Sequence, residues 1–265
     1  MRQIGPVIRL NLVKVFTDKN SMKIASVLAL CALVILTLGQ ACGPAFAPMS
    51  NENGSLSSSA FLSEAERAEC AALSTKPNIT SISSLVAYLN ALPRPVKLHC
   101  VLAELPRPLY VQAGSSASSA QPSPGPRDPR IFIKLQNMIL AVVTDGTAKN
   151  TLEVSQFQSG SQWERAEFVF PISASTLTEA DGLEHIRFNS GTTCGLCHQN
   201  ETGSRTLGSS PVFKSDILKF VSSERVPISD LKIEAEACRT QGDSSDRCLL
   251  FKSLFDLGSV LPTEL

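Results

Sequence analysis

Cys194-Gly195-Leu196-Cys197-His198 places two thiols three positions apart, with an imidazole directly after the second. That spacing suits covalent attachment of a haem. Each thiol can add to one vinyl group, and the adjoining imidazole is placed to ligate the iron. Parts of the pattern serve other chemistries: C-x-x-C is also a thioredoxin-like redox pair, half of a zinc site, or a tight structural disulfide. A zinc site needs four protein ligands. The other histidines, His99 and His185, belong to no second C-x-x-C or H-x-x-x-H pair. A thioredoxin-type pair opens a helix after a strand, whereas Asn189 to Thr193 reads as a loop. One covalent haem c is therefore the favoured cofactor, with thioethers at Cys194 and Cys197 and His198 as axial iron ligand.

Haem c is attached outside the cytoplasm, so the elements around the motif include an export signal. Ile24 to Leu38 is fifteen residues without a charge, preceded by Met22-Lys23 and followed by small residues. The length suits a signal-peptide core better than a membrane span of about 20 residues. Residues 1–41 are read as the signal segment, with Met22 as a candidate true start. Two cleavage chemistries compete. Leu38-Gly39-Gln40-Ala41-Cys42 resembles a bacterial lipoprotein box that lipidates Cys42, although Gly39 stands where that pattern favours Leu. Ala45-Phe46-Ala47 is the rival A-x-A site, whose use would release a secreted or periplasmic protein. Lipidation is favoured, because residues 42–60 read as a flexible polar tether that would hold a domain off a membrane.

Eight cysteines support an oxidising compartment. Cys31 lies in the apolar segment, Cys42 at the processing site, and Cys194 and Cys197 in the haem motif. Cys70, Cys100, Cys238 and Cys248 remain, with three possible connectivities. Loop-closure entropy and the separation of the pairs along the chain favour Cys70–Cys100 and Cys238–Cys248.

The chain has 24 basic and 24 acidic residues; residues 1–41 hold five and one of these, leaving 19 against 23 from Cys42 onward. A net charge of about −4 without a clustered basic face excludes a nucleic-acid footprint. Residues 61–265 are enough for one globular domain. Their texture predicts an α+β fold: N-terminal helices, a central antiparallel β-sheet or small sandwich, the haem-motif loop, and C-terminal helices. Phe61 to Leu92 reads as two helices, the second from Ser81 and ended by Pro93. Leu109–Val111, Ile131–Ile133, Met138–Val143, Leu152–Val154 and Trp163–Phe170 read as strands between turn signals. In the last of these, Ala166, Phe168 and Phe170 give one apolar face, with Arg165, Glu167 and Val169 on the other. Gly114 to Pro129 reads as a surface loop. Pro211–Ser223, Ser229–Thr240 and Ser245–Leu257 carry helical spacing.

With a lipoprotein-like signal ahead of Cys194 to His198, the chain resembles the exported c-type cytochrome-domain proteins of Gram-negative bacteria, including their uncharacterised lipoprotein members. The resemblance implies thioether bonds at Cys194 and Cys197 and proximal ligation by His198. Two features depart from that family. Class I members are all-helical and use a Met well downstream of the motif, whereas this chain is strand-rich and its methionines, Met1, Met22, Met49 and Met138, all lie upstream. The distal candidates are His185, His99, Met138 or nothing. His185, in Glu184-His185-Ile186-Arg187-Phe188, could also sit on the solvent face of a strand.

The leading reading is a non-enzymatic monohaem protein for electron transfer or for redox or ligand sensing, anchored at the periplasmic face of a membrane; its redox partner is not legible. A haem peroxidase is a weaker variant. The alternative is an envelope lipoprotein whose sheet binds a partner and whose Cys194 and Cys197 form a structural disulfide.

Overall fold

Two-residue alternation from Leu109 onward sets the architecture. Leu109–Gly114 (β1), Arg130–Lys134 (β2), Met138–Val143 (β3), Thr151–Ser159 (β4) and Gln162–Val169 (β5) form an antiparallel meander, each strand paired with the next. The computed structural model describes residues 64–70, 76–115, 121–123, 125–174, 176–217 and 222–265. The signal segment, Met22, Cys42, the Ala47 site and the tether lie outside them. Among the described residues, no helix is long and apolar enough to cross a membrane.

Six further strands follow. Arg187–Phe188 (β6) and Gly191–Thr192 (β7) form a separate small hairpin, while Thr202–Leu207 (β8) and Ser210–Asp216 (β9) form a second hairpin that joins the sheet through β5. Arg225–Val226 (β10) and Val260–Pro262 (β11) both pair with β1, the latter parallel. The result is one nine-stranded mixed sheet, ordered β10-β1-β2-β3-β4-β5-β9-β8 with β11 beside β1. The fold is α+β.

Helices cover one face. They are Glu64–Glu69 (α1), Ile82–Ala91 (α2), Leu98–Ala103 (α3), Glu179–His185 (α4), Ile228–Thr240 (α5) and Asp246–Phe255 (α6). α2 starts where Ser81 Oγ accepts from Ser84 N at 3.0 Å, a cap worth about 1 kcal/mol. It stops at Leu92, whose extended backbone precedes Pro93. Its buried stripe, Ile82, Leu85 and Leu89, packs in one core with Leu140, Val154, Ala166 and Phe168 of the sheet and Leu231, Phe251 and Leu254 of α5 and α6. Each such side chain contributes roughly 1.5–3 kcal/mol by leaving water. Leu89→Ala would cost about 2–5 kcal/mol, since a filled core cannot fully collapse around the void.

Two of the elements that differ from the sequence expectation bear on the site and the core. Pro211–Ser223 was expected to be helical, but Ser210–Asp216 is a strand, because Gly208-Ser209 makes a two-residue hairpin turn with Gly208 at φ 60° and the free edge of β5 offers a partner. α3 had no expected counterpart. It has no side-chain cap, and all six of its residues are buried, so tertiary packing rather than local propensity holds it. Cys100 of α3 is disulfide-linked to Cys70 at the end of α1, and Cys238 of α5 to Cys248 of α6. Closing loops of these lengths removes about 3–4 kcal/mol of unfolded-chain entropy per bond in the chain-entropy model.

Candidate functional site

The motif hangs between two hairpins. Its entry is fixed by β6–β7, where Asn189 takes φ 52°, a left-handed value that Asn tolerates in turns. Thr193 N then donates to Ile186 O at 2.7 Å. Thr193–Leu196 forms one 3-10 turn. Thr192 caps that turn by accepting from Gly195 N at 3.3 Å, and the Cys194 carbonyl accepts from both Cys197 N (3.1 Å) and His198 N (2.8 Å). The backbone of the motif is therefore internally closed.

Glu201 braces it from behind. Its carboxylate accepts from Thr192 N at 3.0 Å and from the Thr192 hydroxyl. It also fills the space beside Gly195: a Cβ there would lie 2.5 Å from Glu201 Oε1 and 2.7 Å from its Cδ. Gly195, the first of the two residues between the cysteines, thus lies where a carboxylate occupies the side-chain position.

His198 is anchored to β9. Its Nδ1 lies 2.8 Å from the Asp216 carbonyl oxygen and 3.0 Å from Arg165 Nη2. The carbonyl only accepts and the guanidinium only donates, so Nδ1 cannot bond both; because Arg165 Nη2 already donates to the same Asp216 oxygen at 2.9 Å, we assign the proton to Nδ1, which donates to that oxygen at the shorter distance. Nε2 keeps its lone pair. Burial, reinforced by the Arg165 guanidinium, pushes the His198 pKa down to about 4, so the ring is neutral at physiological pH. A neutral imidazole with its second nitrogen held by a backbone carbonyl is the form that ligates a metal.

Arg165 is the pivot beneath the motif. It is 3% exposed, donates through Nη2 to Asp216 O at 2.9 Å and through Nη1 to Ser215 Oγ, and its Nε meets no hydrogen-bond partner among the described residues. Arg165 and Glu167 stand on the face of β5 opposite Ala166 and Phe168, as the alternation implies, but Arg165 is buried there, its guanidinium meeting His198, Ser215 and Asp216. Glu153 stands opposite Glu167 in the sheet, and Ser155 opposite Arg165. Arg130 pairs with Glu153, and Gln121 Nε2 donates to Glu167 Oε1 at 3.3 Å. Burial and the nearby Glu153 charge raise the Glu167 carboxyl to about 7.

The two cysteines are not equivalent. Cys197 is exposed. The Cys194 thiol is turned toward the sheet, and burial with the Glu153 charge raises its pKa to about 12, so it is a protonated thiol at neutral pH. Neither is bonded to another cysteine. Leu196, between them, is 71% exposed and leaves an apolar side chain at the surface.

The distal candidates lie elsewhere. Met138 belongs to the helix-covered core with Leu140, on the sheet face opposite Arg165 and His198. His185 ends α4, a helix rather than a strand. It is exposed and lines a shallow cavity with Phe168, Pro171, Leu177 and Asp181, none of them from the motif. α4 itself packs on the apolar face, where Gly182 admits the Phe168 ring. His99 is buried beside the Cys70–Cys100 disulfide.

Asp216 and Glu201 have no role in the sequence reading, and Arg165 and Glu167 stand in it only as residues of one strand face. The available signal was like and unlike charges at alternate positions of neighbouring strands, Glu153 against Arg165 and Glu167, which is unusual on a face that only meets water. No protein family matches the chain, and no curated protein or solved structure matches it either.

The donor set fits a haem c at its proximal side. His198 offers an oriented, neutral Nε2 and Cys197 an accessible thiol, while Cys194 must turn outward from the sheet to join them. These three residues would hold the group.

Proposed function

We propose that this chain is an exported monohaem c-type protein, lipid-anchored at the periplasmic face of a membrane, that transfers electrons or senses redox state or a small ligand. The observation that carries the reading is the pairing of C-x-x-C-H with a His198 whose Nδ1–H is spent on Asp216 O, leaving Nε2 for a metal. When bound, the haem supplies a one-electron iron centre. The chain's own residues orient and tune. Asp216 and Arg165 fix the imidazole, Glu201 and Thr192 hold the loop, and the ion pair of Glu153 and Arg130 sets the local charge.

Covalent attachment is the test. Thioether bonds survive denaturation, so chain produced alongside a competent haem-maturation system should retain haem stain on a denaturing gel. Cys194→Ala with Cys197→Ala should lose it. A wild-type chain that never stains overturns the reading.

The second reading is an envelope protein without haem whose sheet binds a partner and whose Cys194 and Cys197 pair as a structural disulfide on oxidation; it too requires the Cys194 thiol to turn outward to reach the exposed Cys197. Peptide mapping of unstained protein that recovers a Cys194–Cys197 linkage would establish it.

A further inference from the structure

We propose that Cys70, Cys100, His99 and Glu69 form a redox-gated site for zinc or a zinc-like divalent cation, closed while the disulfide stands and opened by its reduction.

The convergence of donors carries the argument. Cys70 Sγ, Cys100 Sγ and a ring nitrogen of His99 all lie within 4.8 Å of one another, and all three residues are buried. Glu69 Oε2 lies 3.7 Å from His99 Nε2. Ligand atoms bound at ~2.0–2.3 Å around a tetrahedral zinc stand roughly 3.3–3.8 Å apart. The three buried donors therefore need only side-chain adjustment, with the sulfurs parting once their bond is cut, and Glu69, close to His99 alone, must swing in as the fourth. Two thiolates, an imidazole and a carboxylate are ligand types that zinc accepts.

A second observation is independent of the cysteines. His99 is 6% exposed, and its buried Nε2 meets no hydrogen-bond partner among the described residues. A buried ring nitrogen left unsatisfied is unfavourable. The disulfide does nothing to relieve it, whereas a bound cation would.

The fold brings the donors in as two dipeptides. Glu69 and Cys70 close α1, and His99 and Cys100 lie in the first turn of α3, so each helix end supplies two adjacent ligands. A cavity of about 240 Å³ lined by Glu69, Cys70, Arg94, Lys97 and Cys100 gives three of the donors a route to solvent, while His99 lines a separate cavity with Lys97, Phe170 and Leu249. Charge is nearly balanced. Two thiolates and one carboxylate around a dication leave one negative charge, and Lys97, ion-paired with Glu69, stands beside it.

The gating step balances as thiol–disulfide exchange. A dithiol reductant attacks one sulfur, the Cys70–Cys100 bond breaks, and the reductant leaves as its own disulfide after passing two electrons and two protons to the pair. Cation binding then forms two sulfur–metal bonds and releases both thiol protons to water.

The test uses the full chain carrying Cys194→Ala and Cys197→Ala, so that the haem motif cannot contribute and failure of the haem reading is scored separately. The chain is reduced with a phosphine and titrated with cobalt(II), then zinc(II). The expected result is one cobalt per chain with thiolate charge-transfer absorption, displaced by zinc, and zinc protection of Cys70 and Cys100 from alkylation. His99→Gln should weaken binding about tenfold or more, the order of loss seen for groups that support a metal site. If reduction disturbs the fold, zinc should restore the circular dichroism of the oxidised chain. No cobalt absorption, protection falling on Cys238 and Cys248 instead, or a reduced chain that zinc fails to restore would each overturn the proposal.

Discussion

The Asp216 carbonyl oxygen accepts from both His198 Nδ1 at 2.8 Å and Arg165 Nη2 at 2.9 Å. One backbone atom of β9 thus sets the tautomer of the motif histidine and the position of the buried cation beside it. Moving β9 by a fraction of a hydrogen bond would release both.

Arg165 reinforces the effect of burial on His198, so Arg165→Gln should raise the His198 pKa from about 4 part of the way toward its ordinary value near 6.5. Nuclear magnetic resonance titration of the imidazole in the Cys194→Ala, Cys197→Ala chain reads this directly. An unchanged pKa would assign the whole depression to burial.

His198 and Glu167 should oppose each other in the pH dependence of stability. His198 is depressed from 6.5 to about 4, so its contribution is present above pH 6.5 and is lost as pH falls toward 4. Glu167 is raised from 4.5 to about 7, so its contribution is present below pH 4.5 and is lost as pH rises toward 7. Each amounts to at most about 3 kcal/mol, and the two windows overlap. Urea unfolding at pH 4.5 and 6.5 should show stability rising with pH in Glu167→Gln and falling with pH in His198→Gln. Parallel curves for the two variants would contradict this assignment.

Gly195→Ala should push the Glu201 carboxylate off Thr192, at a cost of about 1–3 kcal/mol from the displaced hydrogen bonds and overpacking. Glu201→Ala alone should cost less than that. The double variant should cost clearly less than the sum of the two, because removing the carboxylate frees the space the new methyl needs. Strict additivity in thermal unfolding would mean the two positions do not meet.

If the chain carries haem, its iron should lack a methionine ligand, because Met138 is locked in the core on the far side of the sheet. The ferric form should show no sulfur-to-iron charge-transfer band. His185→Ala should leave the spectrum unchanged. A methionine band would require β3 to leave the core, and stability would fall with it.

The meander and the cores of α2, α5 and α6 were legible because binary patterning with period 2 or 3.6 coincided with what tertiary packing demanded. β9 was not. Its apolar residues also fit a helical repeat, and the deciding partner, the edge of β5, is 50 positions away at Glu164 opposite Lys214. The cysteine and histidine of the motif were plain from spacing alone, whereas their anchors were not. Asp216 acts through its backbone oxygen, which carries no side-chain signature, and Arg165 looks in sequence like any solvent-facing residue of an amphipathic strand.

β5 meets β9 only over Gln162 to Glu164, and the motif lies in the stretch of chain that this short union closes. Local meander pairings form ahead of so distant a contact, since closing the long loop costs entropy before it gains anything. Assembly thus has a natural order in which the five-stranded platform precedes the β5–β9 union, and the loop that carries Cys194 is closed last.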